Sequence, residues 1–579
     1  MMNTPLTTRR AIRRAGGGVA ALACAALVAA CGTSAASITG ASGSSGSTSS
    51  HSSGAAVGAD SSTTAWTEIP AETASASTGA TAAMINSANA EVAADSTAAE
   101  DAGGYDASSA TAITLSGTSA SVSGSGASGS AGASVDGSTV TISAAGTYVV
   151  SGELTDGEII VAAPDADVRL VLAGATITNA DGAAIDIQDA GTAVITLASG
   201  TTNSLSDGAA RADASDGAAD AALFSSDTLT ITGTGGLTVN GGYQDGIASK
   251  NGLIVTGAPT INVTAADDAI RGKDYLVINS GTITVSAGGD GLKSNEDNDI
   301  TKGFVRLGAA TITVTSADDG VAAATDVTVE STTLQITAGG GQANAVDEGK
   351  GDPGRQRSSS SEATTPSPKG INAGVSFTQD SGAVTIDAAD EGAQAAFVNI
   401  NGGALRITSG DDGINASSGD HTIGGYGEVD SESDDGSVLT ISGGEVQVGN
   451  AGSDGLDSNG SAHVTGGTVL VSGSVGSMDG AVDANGETTL VGASAATAIA
   501  TGDAVTLTDS SGTTTMRAAF SAPSVTVLGL SEGTTYTVST TSGGSASVTA
   551  TALTTGGGPG GPGGGRAPGN APAAPGSGS

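Results

Sequence analysis

Large apolar side chains are scarce in this chain: 579 residues contain one tryptophan, six tyrosines and five phenylalanines. A wide globular core cannot be filled from that set. A thin core of Val, Ile, Leu and Ala, repeated along an axis, can. Bases are also few, 19 against 59 acids for a formal charge of −40, which excludes a surface for nucleic acid or anionic lipid and favours cations as partners. There are two cysteines and three histidines (His51, His421 and His463). No disulfide framework and no histidine-centred constellation for nucleophilic catalysis follows from these. No helical periodicity stands out, and the chain is expected to be all-β.

The longest apolar run lies in "RRAIRRAGGGVAALACAALVAAC", residues 9–31, a basic start followed by small apolar residues. It is shorter than a bilayer requires and reads as an export signal. "VAAC" before Gly32 resembles a lipobox, which implies cleavage before Cys31 and lipidation of that cysteine. "TRR" at 8–10 resembles a twin-arginine signal more weakly. Loss of Arg9, Arg10, Arg13 and Arg14 with the signal would take the charge from −40 to −44. The expected address is the outer face of the cell membrane, held by lipid. Residues 32–110, rich in Ser, Ala, Thr and Gly, read as a disordered tether. Residues 553–579, which include "GGGPGGPGGGRAPGNAPAAPGSGS", read as a disordered Gly/Pro tail.

Between them, short alternating runs such as "TINVTA", "TITVSA" and "TLQITA" are separated by Gly, Asn and Asp, which is the pattern of strands. An acid followed by Gly or Ala recurs at Asp245, Asp268, Asp290, Asp319, Glu391, Asp412, Asp454 and Asp479, in steps of 23, 22, 29, 72, 21, 42 and 25 residues. The 42 reads as two periods, and the 72 holds a charged insertion at 347–370. A repeat of 21–25 residues with two or three short strands predicts a right-handed parallel β-helix over 111–505. A β-rich end at 506–552 follows.

The period orders the charges. Ile247, Ile270 and Leu292, each two residues after the acid, point inward. The third positions (Ala248, Arg271, Lys293) and the fifth (Lys250, Lys273, Asn295) then share an outer face. Lys250, Arg271, Lys273 and Lys293 are the candidate ligand-binding residues, an exposed basic strip able to receive carboxylates of an extended polymer. Stacked carboxylates about 4.8 Å apart repel unless a cation sits between them. Candidate Ca²⁺ ligands are therefore Asp245, Asp267, Asp268, Asp290, Asp318, Asp319, Asp411 and Asp412, with Asn295 and Asp297 from the "NEDND" loop. Two plainer readings stand beside these: Asp-Gly forms turns readily, and the bases can simply balance neighbouring acids.

The stretch "YQDGIASKNGLIVTGAPTINVTAADDAIRGKDYLVINSGTITVSAGGDGLKSNEDND" (243–299) resembles the core of a family of secreted β-helical carbohydrate-binding proteins, related in fold to pectate lyases. Residues 145–185 and 532–540 resemble its flanks. The resemblance implies binding of acidic polysaccharide and bound Ca²⁺. A non-catalytic, monomeric binder of a polygalacturonate-like polymer is the first reading. A Ca²⁺-dependent polysaccharide lyase with Lys273, Arg271 or Lys293 as base is the second, and a β-helical surface adhesin the third. Gripping of neutral glycans on flat aromatics is not expected, because Trp66 falls in the tether.

Overall fold

The computed structural model describes residues 65–88, 104–124, 132–215, 217–345, 367–427, 433–450, 452–473 and 480–553. Cys31, Asp479, most of the insertion and the Gly/Pro tail lie outside these residues.

The alternating runs become strands with one apolar side. Thr260–Ala265 is exposed and buried by turns along its length. It pairs in parallel with the equivalent run one repeat later, Thr282 opposite Thr260 and Ile283 opposite Ile261. The register carries on without slip through Ile312, Leu334, Val384, Leu405, Val446 and Val469. Each inward position is thus a column of aliphatic side chains, all buried. β-branched residues suit this column because their stiff side chains pack against identical neighbours on a pleated surface.

Two more columns run alongside. One passes through Leu253, Leu276, Val305, Val327, Phe377, Val398 and Leu439. The other consists of short strands through Ile247, Ile270, Leu292, Val321, Ile371, Ala393, Ile414 and Leu456. The main sheet is mixed. Its middle is parallel, while Thr111–Gly117 pairs antiparallel with Ser119–Gly124 near one end, and Thr468–Ser472 with Val525–Leu528 near the other. A separate antiparallel four-stranded sheet begins at Ala504–Thr508, so the boundary expected at 505/506 falls inside a strand. The fold is all-β apart from a few short helical segments.

Two spacings read differently in three dimensions. Ile414 pairs directly with Leu456, so the step of 42 is one repeat with a long excursion and not two. The step of 72 holds an additional repeat, since Val321 pairs with Ile371 and Ile371 with Ala393.

Part of the expected tether is folded. Residues 65–88 form a short strand, Glu68–Ile69, and two helices, α1 (Ala71–Ser77) and α2 (Ala82–Ser87). The strand pairs with Thr422–Ile423 of the long excursion, and Ile69 packs on Val375, Phe397 and Ile423. Side chains of the sheet satisfy the backbone between the helices: Asn399 donates to the Ser77 carbonyl and Asn401 to the Ala80 carbonyl, both at 2.8 Å. Helices this short do not hold alone in water; docking supplies what propensity does not.

Glycine after the acid has a packing reason. A Cβ on Gly291 would lie 2.2 Å from Val314 Cγ1 and 2.6 Å from the Gly320 carbonyl oxygen. Gly291→Val is therefore expected to destabilise the fold by about 1–3 kcal/mol or more, as overpacking against backbone does. A urea midpoint equal to the parent's would show that the column relaxes freely.

Candidate functional site

The acid of each repeat sits where the chain turns into a short inward strand. At that point the next repeat's acid residue presents a backbone N–H, and the carboxylate accepts it. Asp290 N–H donates to Asp268 Oδ1 and Asp319 N–H to Asp290 Oδ1, each at 2.9 Å. Lys369 N–H donates to Asp319 Oδ1 and Asp454 N–H to Asp412 Oδ1, each at 2.8 Å. The acids are thus stitched from repeat to repeat, which satisfies buried backbone donors. The same stitching draws carboxylates out of water, a state that needs compensating charge.

In the early repeats that charge is internal. Arg271 is opposite Lys293 in register. Neither is an open, exposed cation. The Arg271 side chain is 12% exposed, with Nε 2.7 Å from Asp245 Oδ2 and NH2 2.6 Å from Asp220 Oδ2. Lys293 Nζ lies 3.0 Å from Asp268 Oδ2 and 2.8 Å from Asp290 Oδ2. Lys273 pairs with Glu296 at 3.2 Å, and Lys250 Nζ donates to the Gly217 carbonyl at 2.8 Å. The strip expected to be free is occupied by its own carboxylates, because the acid and the third position of neighbouring repeats converge at one edge. Burial alone would lower the affinity of Arg271 and Lys293 for their protons. The carboxylates around them (Asp245 and Asp220; Asp290 and Asp268) outweigh it and hold both well above their ordinary range. Neither is poised to act as a base near neutral pH.

The expected metal ligands therefore divide. Asp245, Asp268 and Asp290 are bonded to Arg271 and Lys293, so ion pairs stand where a metal was expected. Asp267, Asn295 and Asp297 are exposed, and none of them falls in a group of three convergent acids among the described residues. Three such groups are present: Asp290, Asp318 and Asp319; Asp390, Glu391 and Asp411; and Asp454, Asp457 and Asp483. Within each, candidate ligand atoms lie within 4.8 Å of one another. Burial and the neighbouring Asp290 push Asp319 up to about 7. Burial and a hydrogen bond that its protonated form donates to Asp390 push Glu391 to about 8, against the pull of Lys369.

Lys369 is the residue that the spacing missed. It takes the acid's place in the extra repeat, 11% exposed, with Nζ 3.1 Å from Asp390 and 2.9 Å from Glu391. "KGI" at 369–371 continues the D-G-I/L pattern with the charge reversed, which was the available signal. The last repeats differ at three of their acids. Among the described residues no Lys or Arg pairs with Asp412, Asp457 or Asp483. Burial, then Asp454 and Asp483, push Asp457 up to about 7. Burial, then Asp457 and Asp411, hold Asp412 well above its ordinary range. Asp457 and Asp483 occupy the third position, the place that Arg271 and Lys293 fill earlier; Leu456 bridges to Val482 in parallel.

Trp66 is stacked on His421, with ring centroids 3.9 Å apart, and is no open aromatic platform.

Residues 136–413 match the family model of a carbohydrate-binding domain-containing protein. A protein described as carbohydrate-binding domain-containing, from Acetivibrio thermocellus, is 39% identical over 115 residues, which is 19% of this chain. The chain spans 40% of that relative's length. The solved structure of a polysaccharide lyase-like protein from C. thermocellum, a gadolinium derivative, is 31% identical. The match covers 40% of this chain and 92% of that one, with a TM-score of 0.37.

Proposed function

We propose that the protein is a non-catalytic binder of acidic polysaccharide, with Ca²⁺ held on the acid edge of a right-handed parallel β-helix. The observation that carries it is the change in compensation along that edge. Early repeats neutralise their carboxylates with Arg271 and Lys293 and a middle repeat with Lys369, whereas among the described residues no Lys or Arg pairs with Asp412, Asp457 or Asp483. Oxygens within 4.8 Å of one another suit an ion that takes ligands at about 2.3–2.6 Å. Asp454, Asp457 and Asp483 would hold it, and Asp290, Asp318 and Asp319 are a second candidate. Bound Ca²⁺ supplies the positive charge that a polyuronate needs on a surface this acidic. Lys273, at the rim, would meet polymer carboxylates, while Arg271 and Lys293 keep the edge folded. A stack with fixed spacing matches a linear polymer.

Lyase chemistry with Arg271 or Lys293 as the base is disfavoured, since both are held protonated and cannot take a proton near neutral pH. A glycan array run with Ca²⁺ and with EDTA tests the reading. Acidic glycans should bind only with Ca²⁺, without release of products absorbing as unsaturated uronides. Such products would replace the binder by a lyase.

Cys31 would place the protein at the outer membrane face. Cys31→Ser should abolish lipid labelling and release the protein or leave an unprocessed precursor. Unchanged labelling would show the site to be wrong.

A further inference from the structure

Ahead of the acid edge, the early repeats carry a cleft of about 560 Å³, within the range of about 300–1,000 Å³ common for small-molecule sites. It opens on the outward row that leads to Arg271: Ile160, Asp186, Phe224 and Ala248 follow one another in register.

The cleft is rigidly built. Residues 211–213 and 217–219 form its roof, and Arg211 pins that roof with a side chain 2% exposed. Arg211 NH2 lies 2.6 Å from Asp207 Oδ2 and donates to the Ala221 carbonyl at 3.1 Å. Its Nε donates to the Ala219 carbonyl and NH1 to the Gly182 carbonyl, both at 3.1 Å. Tyr243 covers the guanidinium at 4.7 Å, and Lys250 holds the far side of the roof through the Gly217 carbonyl. A guanidinium has five N–H groups. These bonds use four, which leaves one on NH1 at the cleft wall.

Glu158 and Asp186 line the same cleft. Glu158 is engaged only by long bonds from Thr139 and Asn179, each 3.3 Å. Asp186 accepts from Gln188 at 2.7 Å. Burial raises both carboxyls above their ordinary range, and Asp186 adds to the effect on Glu158. No uncompensated cation lines the cleft, since Asp207 neutralises Arg211. A uronate or phosphate would be repelled. Hydroxyl groups that can both donate to carboxylates and accept from an N–H fit, with Ile160 and Ala183 offering apolar contact to a sugar's C–H face.

We propose that this cleft binds a neutral saccharide unit, as a second carbohydrate site separate from the acid edge. It rests on the reading that the chain binds carbohydrate, but not on Ca²⁺.

The test is titration calorimetry in EDTA with neutral oligosaccharides of glucose, galactose, mannose and xylose, with glucosamine oligomers and oligogalacturonate as comparisons. At least one neutral series should bind, unchanged by Ca²⁺. Asp186→Ala should weaken it about tenfold or more, the loss expected for a hydrogen bond to a charged group. Ala218→Trp, in the roof, should block it sterically with little change in melting. Three results would overturn the proposal: no neutral sugar binds, only amine-bearing sugars bind, or both variants bind like the parent. If polygalacturonate binds with Ca²⁺ and no neutral sugar binds at all, only the cleft proposal falls. If no glycan binds under any condition, the general reading falls with it.

Discussion

Arg271→Met is expected to destabilise the folded core by about 3–5 kcal/mol, the range for removing one partner of a buried pair. The substitution keeps most of the stem and removes the charge. Asp245, 4% exposed on its side chain, would lose its 2.7 Å partner, and Asp220 its 2.6 Å partner. Asp268 Oδ2, 4.0 Å away, would keep only Lys293. The penalty is the burial of Asp245 without compensation more than the value of the pair itself. Adding Asp245→Asn should therefore restore part of the loss, since the neutral amide needs no counter-ion. Urea denaturation of the parent, both singles and the double gives the coupling. A single variant within about 0.5 kcal/mol of the parent would return Arg271 to an exposed residue of minor weight.

The second large effect is a pH dependence that Ca²⁺ offsets. Without metal, Asp319 and Asp457, each raised from 3.8 to about 7, keep protons that the unfolded chain has released. Carboxyls raised in the folded state contribute stability that is present below about pH 4 and lost as pH climbs through about 7. For Asp457 the upper limit is about 4 kcal/mol. In EDTA the core should thus melt at a lower temperature at pH 8 than at pH 5. Ca²⁺ needs the ionised form, and at 100 times its Kd adds about 2.7 kcal/mol. The gain on adding Ca²⁺ should accordingly be larger at pH 8 than at pH 5. Asp457→Asn should flatten the EDTA profile and shrink the Ca²⁺ gain. Identical melting in EDTA and Ca²⁺ at both pH values would remove the metal from the account.

Much of this architecture is written in the repeat itself. The alternation in "TINVTA" and its kin assigns inward and outward residues, and the step of 22 between Asp268 and Asp290 places Arg271 opposite Lys293. Parity says which side a residue takes, not where a long side chain ends. Arg271 finds Asp220, 51 residues earlier in a connection without periodicity, and so its burial had no local signal. Lys369 was hidden by its sign, because a search for acids passes over the one repeat that carries a base. The segment 65–88 has short helices without an apolar stripe. Its docking depends on Asn399 and Asn401, more than 300 residues away, and composition alone reads it as a tether.

The most direct test is the affinity of polygalacturonate for the protein as free Ca²⁺ is raised from chelator-buffered zero. The account predicts no binding in EDTA, and binding that rises with occupancy of a site that the double variant Asp457→Asn/Asp483→Asn weakens. Equal affinity with and without Ca²⁺, or in the parent and that variant, would contradict it.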